Sequence, residues 1–545
     1  MADAVLLGDE AVALGAIHAG LTASYAYPGT PSTEITEFLL GYAARHGRPH
    51  AAWASNEKTA FEEALGVCFV GRRALVSMKH VGLNVAADPF MNAALVAPHG
   101  GLVVAVADDP GMHSSQNEQD SRYYADFARI VCFEPADQQE AYDMTREAYE
   151  VSERFRIPVM VRLVTRLAHA RSIVRLGEPR PENPLAKPPQ TTSWILLPVN
   201  ARRQWKALLA RQGELRDYAG GSPYNRLTEG SGRFGVITTG IARNYYLENV
   251  DDLDSKPWHL HVGVYPAPTP LIRRFTEQVD RVLVLEDGYP FVERQLRTLL
   301  PTRYTVMGRE TGEVSIDGEL TPDTVRQALG LPVAAGVSID AMMPPPARPP
   351  QLCQGCPHGD SYRALKEAVA SVDEAVVTSD IGCYTLGALP PYSAIESCVC
   401  MGASVGMAKG AADAGFHPAF AVIGDSTFLH SGVTGLMDAV AANTDMTLVI
   451  LDNGTVGMTG AQPTVLPSSR IQTLVMGLGV DPDHCHVLSA HPRHAAENAD
   501  VLKREMAHHG LSVVVLVREC LEVVREHKAA TRASGAQPVA QGATS

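Results

Sequence analysis

"AVIGDSTFLHSG" (421–432) is followed by "TLVILDNGTVGMTGAQ" (447–462), and each segment is an apolar run that ends in an acid-and-glycine turn. Such runs read as strands of a parallel sheet, because strands covered on both faces carry continuous apolar sequence. Asn453 falls 28 residues after Asp425. In an open parallel sheet the carboxyl ends of neighbouring strands form the ligand crevice, so the two side chains can meet there. An aspartate oxygen, an amide oxygen and a nearby carbonyl are hard ligands, suited to a magnesium ion that also holds phosphate oxygens. Gly424 allows backbone to approach a diphosphate closely. G-D-S alone is an ordinary turn after a core strand; the second segment is what gives it a chemical meaning.

Outward from this pair the same alternation of strand and helix recurs. Residues 1–175 hold "ASYAYPG", "STEITEFLLGYAARHG", "RALVSM", "GLVVAVADDP" and "IPVMVRLVT", the pattern of a parallel sheet covered by helices. Proline-rich 176–193 reads as a linker or covering loop. A second α/β unit spans 194–335, with strands "FGVITTG" and "RVLVLED"; 336–351 is a second linker, 352–528 a third α/β unit, and 529–545 a small, polar, disordered tail. The fold class expected is α/β, with three doubly wound parallel-sheet domains.

The chain has 545 residues, 46% hydrophobic and 19% charged, with a formal charge of -14. That balance argues against nucleic acid or an anionic membrane as the main partner, since either favours a clustered basic face. No apolar run reaches the roughly 20 residues of a spanning helix, and the first residues lack a basic, cleavable leader. A cytoplasmic location is expected. Nine cysteines, an odd number, fit thiols that are free, catalytic or metal-bound. The pair in "PPQLCQGCPHGDSY" (349–362) leaves open a zinc clip, a redox disulfide, or half of a larger ligand set.

The two opening segments resemble the diphosphate motif of thiamine diphosphate enzymes. More specifically, "YPGTPSTEI" (27–35), "SNEKTAFEEALG" (55–66), "MKHVGLNVAADP" (78–89), "DDPGMHSSQNEQDSRYYADFA" (108–128), "LCQGCPH" (352–358), "SDIGCYTLGALPP" (379–391), "CMGASVGMAKG" (400–410) and "GDSTFLHSG" (424–432) resemble large subunits of the indolepyruvate:ferredoxin oxidoreductase family. The resemblance implies a pyrimidine-binding domain, a transketolase C-terminal-like domain and a diphosphate-binding domain, in that order. It makes Glu57 the acid that activates the cofactor, a role a carboxyl in an apolar pocket can fill. Without it, a glutamate at a helix start reads as a capping charge. Asp425, Asn453 and the Thr455 carbonyl become magnesium ligands, with Gly424, Ser426 and Met458 also at the cofactor.

The resemblance further implies a [4Fe-4S] cluster on Cys353, Cys356, Cys383 and Cys520, four thiolates being what such a cluster needs; a tetrahedral zinc ion would use the same four. Cys68, Cys132, Cys398, Cys400 and Cys485 read as buried small hydrophobes. Relatives usually continue into a ferredoxin-like domain, whereas this sequence stops after "REHKAATRASG", so ferredoxin or another acceptor is expected to take the electrons. Met458 stands where pyruvate enzymes place an asparagine, which suits an aryl 2-oxoacid over pyruvate. The activity implied is oxidative decarboxylation of indolepyruvate or another arylpyruvate, with coenzyme A taking the acyl group. A smaller gamma-type (beta) subunit and at least a dimer of this chain are implied as well. The alternatives are a non-oxidative decarboxylase or carboligase with structural zinc, and a scaffold whose cofactor site has decayed.

Four weaker candidates complete the site. Thr30 matches a substrate-contacting threonine, with a helix N-cap before Pro31 as the competing reading. His80 and His430 could move protons, against the ordinary role of a satisfied structural histidine. Arg122 could pair with a substrate carboxylate or close a salt bridge with Asp120 or Asp126.

Overall fold

The structure, a computed structural model, describes residues 3–333 and 350–534. The chain divides into two compact units, Met1–Ile339 and Asp340–Ser545.

The first unit is built on a seven-stranded sheet in the order Val264–Tyr265, Val131–Phe133, Val159–Val164, Leu102–Asp108, Ala74–Lys79, Ala23–Ala26, His50–Trp53. Every pairing is parallel except that of Val264–Tyr265 with Val131–Phe133. The central strands Ala74–Lys79, Leu102–Asp108 and Val159–Val164 are buried along their whole length, which is why their sequences run apolar without alternation. A second sheet, ordered Thr305–Met307, Arg281–Leu285, Phe234–Thr239, Trp258–Val262, Arg226–Thr228, is parallel except at its last strand.

The segment 194–335 therefore does not stand apart as a compact body of its own. It lends the two-residue strand Val264–Tyr265 to the edge of the first sheet, and one apolar core runs through both sheets. The proline-rich stretch 176–193 acts as a strap on this unit. Arg180 N–H donates to the His18 carbonyl, Ala186 N–H to that of Val70, and Glu182 pairs with Arg72 and Arg48. An antiparallel pair, Asp3–Leu7 with Arg171–Arg175, ties the start of the unit to the strand that precedes this strap.

The second unit is a five-stranded, all-parallel sheet ordered Val376–Ser379, Ala419–Gly424, Met446–Asp452, Leu511–Val517, Cys485–Ser489. Apolar cores lie on both of its faces: Phe420, Val449 and Val514 belong to one, Ile423, Leu448 and Val515 to the other. Burying each such side chain contributes about 1.5–3 kcal/mol. The last described helix, Leu521–Ser534, extends six residues into the segment expected to be a disordered tail, because "LEVVREHKAATRAS" is rich in helix-forming residues and holds no glycine or proline. Positions 535–545 of that tail, and 336–349 of the second linker, lie outside the described residues. Among the described residues no helix is long and apolar enough to cross a membrane.

Candidate active site

The functional side chains of each unit gather where parallel strands end, the usual place for ligands in such sheets. In the second unit Asp425 follows strand Ala419–Gly424, Asn453 follows Met446–Asp452, and Cys383 and Cys520 follow Val376–Ser379 and Leu511–Val517. Asp425 is buried. Burial first, and then the charge of Asp452 beside it, push its carboxyl well above the usual carboxylate range. The two carboxylates share one donor: Gly454 N–H reaches Asp425 Oδ2 at 2.9 Å and Asp452 Oδ1 at 3.1 Å. The Ser468 hydroxyl donates to Asp452 Oδ1 at 2.6 Å, while the buried Asp452 Oδ2 has no hydrogen-bond partner among the described residues. Two buried acids with too few donors form a place short of positive charge, and the donor set fits a hard divalent cation.

Asn453 is oriented by its surroundings. Its amide NH2 meets Nε2 of His358 at 3.1 Å and its Oδ1 accepts from Thr455 N–H at 3.1 Å. His358 is buried, and burial holds its pKa down to about 4, so the ring is neutral and accepts from the amide. Neither Asp452 nor His358 stands out in the sequence. Asp452 hides at the end of an apolar run beside Asn453, and His358 follows the cysteine pair. At Gly424 a Cβ would lie 2.5 Å from the Tyr384 ring, a close packing that also calls for glycine there. The ring, which hydrogen-bonds Asp380 through its hydroxyl, occupies the space over that turn. Ser426 is half-buried, Thr455 is buried, and Met458 is 55% exposed.

The four cysteines named from the resemblance converge. Burial and then the Cys356, Cys520 and Cys353 thiols push the Cys383 thiol up to about 12, and burial, Cys353 and Cys520 raise that of Cys356 against the N–H groups of His358 and Gly359. Gly355 has φ +80° inside a turn closed by Cys356 N–H to the Cys353 carbonyl at 2.9 Å. Only a residue at ease in that region makes the C-x-x-C turn so tight. Cys520 N–H donates to the Asn453 carbonyl at 3.1 Å, which ties the thiols to the acid rim. Cys68, Cys132 and Cys485 are buried as expected, but Cys398 and Cys400 are exposed. They sit in the irregular segment between Cys383–Ala388 and helix Ala403–Asp413, with no strand or helix face to cover them. His430 is buried in the π-helical turn Phe428–Gly432, its Nδ1 at 2.5 Å from the Ser431 hydroxyl.

In the first unit Glu57 opens helix Glu57–Phe69, and it is 5% exposed. It is not the cap: Asn56 holds that position and its side chain accepts from Thr59 N–H. Glu62 and Glu63, on the same helix, face solvent. Gly82, in helix His80–Val85, lies directly against the Glu57 carboxyl, and a Cβ at Gly82 would stand 2.4 Å from Oε1. His80 is buried, with Nε2 at 3.2 Å from the Asn117 carbonyl and Nδ1 without a hydrogen-bond partner among the described residues. Thr30 sits in the turn before helix Thr33–His46, whose N-cap is Ser32, so the N-cap reading of Thr30 fails.

Arg122 is not free to meet a substrate. It is fully buried, paired with Asp120 and with Glu286 at 2.9 Å, and close to Glu134 at 3.6 Å. Among the two acids considered for it, the partner is Asp120, because Arg122 points into the core shared by the two sheets.

A family model described as "Pyruvate flavodoxin/ferredoxin oxidoreductase, thiamine diP-bdg" matches residues 14–198, and one described as "Thiamine pyrophosphate enzyme, C-terminal TPP binding domain" matches 380–516. The protein named indolepyruvate oxidoreductase subunit IorA in Archaeoglobus fulgidus is 39% identical over 547 residues, covering 94% of this chain and 86% of the relative. Its namesake in Methanothermobacter thermautotrophicus is 37% identical over 542 residues, covering 95% and 86%. A solved structure, 2-oxoglutarate:ferredoxin oxidoreductase from Magnetococcus marinus with 2-oxoglutarate, coenzyme A and succinyl-CoA bound, superposes with a TM-score of 0.51 at 18% identity, covering 60% of this chain and 65% of that one. At that identity the likeness speaks to the fold.

Proposed function

The chain belongs to the family of the indolepyruvate oxidoreductase subunit IorA, a thiamine diphosphate family, and on that premise we propose that it oxidatively decarboxylates an aryl 2-oxoacid, indolepyruvate or another arylpyruvate, to its acyl-CoA. The observation that carries the reading is the second unit's rim, where a donor-poor pair of buried acids and an oriented Asn453 adjoin four converging thiols. Thiamine diphosphate, when bound, supplies the ring that accepts the electron pair as carboxylate is lost. Asp425, the Asn453 amide oxygen and the Thr455 carbonyl would hold magnesium, and Ser426 and Met458 belong to the same rim. Glu57 supplies the buried acid for the cofactor's aminopyrimidine. His80 and His430 remain candidates to hold or move a proton, and Thr30 to contact substrate; Arg122 is removed from that role by its ion pairs.

Cys353, Cys356, Cys383 and Cys520 would hold a [4Fe-4S] cluster that takes electrons singly and passes them to ferredoxin or another acceptor. A tetrahedral zinc ion would use the same four thiolates. The His358 and Gly359 N–H groups beside the Cys356 sulfur are donors of the kind that tune an iron-sulfur centre. The family's multi-subunit character supports a small gamma-type partner, and we propose at least a dimer of this chain in a cytoplasmic enzyme. Chain purified anaerobically with its partner is expected to be brown, with about four iron atoms per chain, and to reduce viologen only when arylpyruvate, coenzyme A and thiamine diphosphate are all present. A colourless, zinc-loaded protein that releases aldehyde without coenzyme A would overturn the proposal.

Gly82 offers a second test. Gly82→Ala should force the Glu57 carboxyl out of place while leaving a helix-compatible residue in helix His80–Val85. Displacement of a catalytic group by about 1 Å can cost on the order of 100-fold in rate. The expected result is a kcat lowered by about that factor with thiamine diphosphate affinity kept; wild-type kcat would show that Glu57 does not act there.

A further inference from the structure

We propose that Lys79, together with the Thr30 turn and Ser114, forms the binding site for the carboxylate of the 2-oxoacid, an assignment that rests on the function proposed above and adds a residue to it. Lys79 ends the fully buried strand Ala74–Lys79 at the carboxyl edge of the first sheet, and it is 8% exposed. Its ammonium donates to the Ser114 carbonyl at 2.7 Å and to the Ser114 hydroxyl at 3.2 Å. Both partners are neutral. Among the described residues no carboxylate comes within 4.0 Å of it. Asp109 acts on the ammonium only from beyond that distance, and its own oxygens are taken by Ser114 N–H, the Ser115 hydroxyl and the Thr165 hydroxyl.

A buried ammonium without a counter-ion is costly, so such groups are normally paired. Burial holds the Lys79 pKa down to about 8, against the opposing pull of Asp109. An arriving carboxylate would supply the missing charge and accept the hydrogen that Ser114 leaves over. The neighbours fit that use. The Ser114 hydroxyl is 3.3 Å from the Thr30 carbonyl, so the Thr30 turn borders the ammonium, and a Cβ on Gly29 would meet Lys79 Cβ at 3.2 Å. Lys79 stands three positions before Gly82, the residue pressed against Glu57. Its chain neighbour His80 brings a second buried polar atom, Nδ1, that has no hydrogen-bond partner among the described residues. The arginine first considered for the carboxylate is ion-paired with Asp120 and Glu286, whereas Lys79 has only the more distant Asp109.

The test uses the full chain with its partner, thiamine diphosphate and magnesium. Lys79→Met is expected to raise KM for arylpyruvate by about 10- to 100-fold, the worth of a hydrogen bond to a charged group, with thiamine diphosphate affinity unchanged and Lys79→Arg restoring most of the loss. A second measurement needs no activity: calorimetric titration with indole-3-acetate and indole-3-acetamide should show the carboxylate preferred by the wild type and the preference gone in Lys79→Met. Equal binding of acid and amide by the wild type, an unchanged KM in Lys79→Met, or an Arg variant as impaired as the Met variant would each overturn the assignment. Absence of any thiamine-dependent turnover in the wild type would instead sink the broader function, and the calorimetric comparison would still decide the site.

Discussion

Replacing Glu57 with glutamine is expected to lower kcat by about 10²- to 10⁴-fold, the usual contribution of a positioned acid or base, while thiamine diphosphate still binds. The substitution is nearly isosteric, so the side chain keeps its place against Gly82 and the helix keeps its start. That start does not depend on residue 57, since Asn56 caps the helix through Thr59 N–H. Glutamine can still donate a hydrogen bond to a ring nitrogen, but it has no acidic proton to transfer to it. The charge reading and the acid reading thus separate: a glutamate that merely complemented the helix terminus would contribute about 0.3–1 kcal/mol of stability and nothing to turnover. Measured kcat within a few-fold of wild type, with calorimetry showing normal cofactor affinity, would remove Glu57 from the mechanism. Because Gly82→Ala displaces the same carboxyl without changing its chemistry, the two variants should fail alike, and Glu57→Gln more deeply.

The strands of both units were legible because their physics is local. Fully buried parallel strands such as "TLVILD" and "LVVAVAD" need continuous apolar sequence, and the acid after each marks the end where ligands gather. Asp425 and Asn453 could be paired for the same reason, each lying just beyond a strand, whereas the set of four cysteines came from the family resemblance, only Cys353 and Cys356 having a local signature of their own. Other features depend on pairings that no local pattern announces. Val264–Tyr265 is two residues long, so nothing in its sequence says that it completes the first sheet and merges two expected domains. Lys79 lies inside the segment 78–89, yet its distinction is that no carboxylate among the described residues pairs with it directly, which sequence does not record. Cys398 and Cys400 were assigned to the interior on residue type alone, and the irregular segment they occupy leaves them exposed. Arg122 sits two positions from Asp120, which made a local salt bridge readable, but its bond to Glu286 spans 164 positions.

That long-range pairing sets the last expectation: Arg122→Met should destabilise the first unit by about 3–5 kcal/mol, the cost of removing one partner from a buried ion pair. Arg122 and Arg162 are both fully buried and together face Asp108, Asp120, Glu134 and Glu286. Arg122 also donates to the Tyr289 carbonyl at 3.0 Å, so it joins the loop after strand Arg281–Leu285 to the first sheet's helix Arg122–Ala128. Methionine fills much of the volume but leaves the acids facing each other. The penalty should depend on pH in a definite sense. Burial already raises the Glu286 carboxyl to about 7, with Arg122 pulling it down, so losing the arginine raises it further. A group whose pKa is raised on folding adds stability at low pH and loses it as pH climbs through the folded value. The variant, with the higher folded pKa, therefore recovers ground as pH falls from 8 to 6, where a proton on Glu286 substitutes for the absent cation. Urea unfolding of wild type and variant at the two pH values measures this directly. A penalty that is small, or that grows as pH falls, would mean Arg122 is not the group holding these acids together.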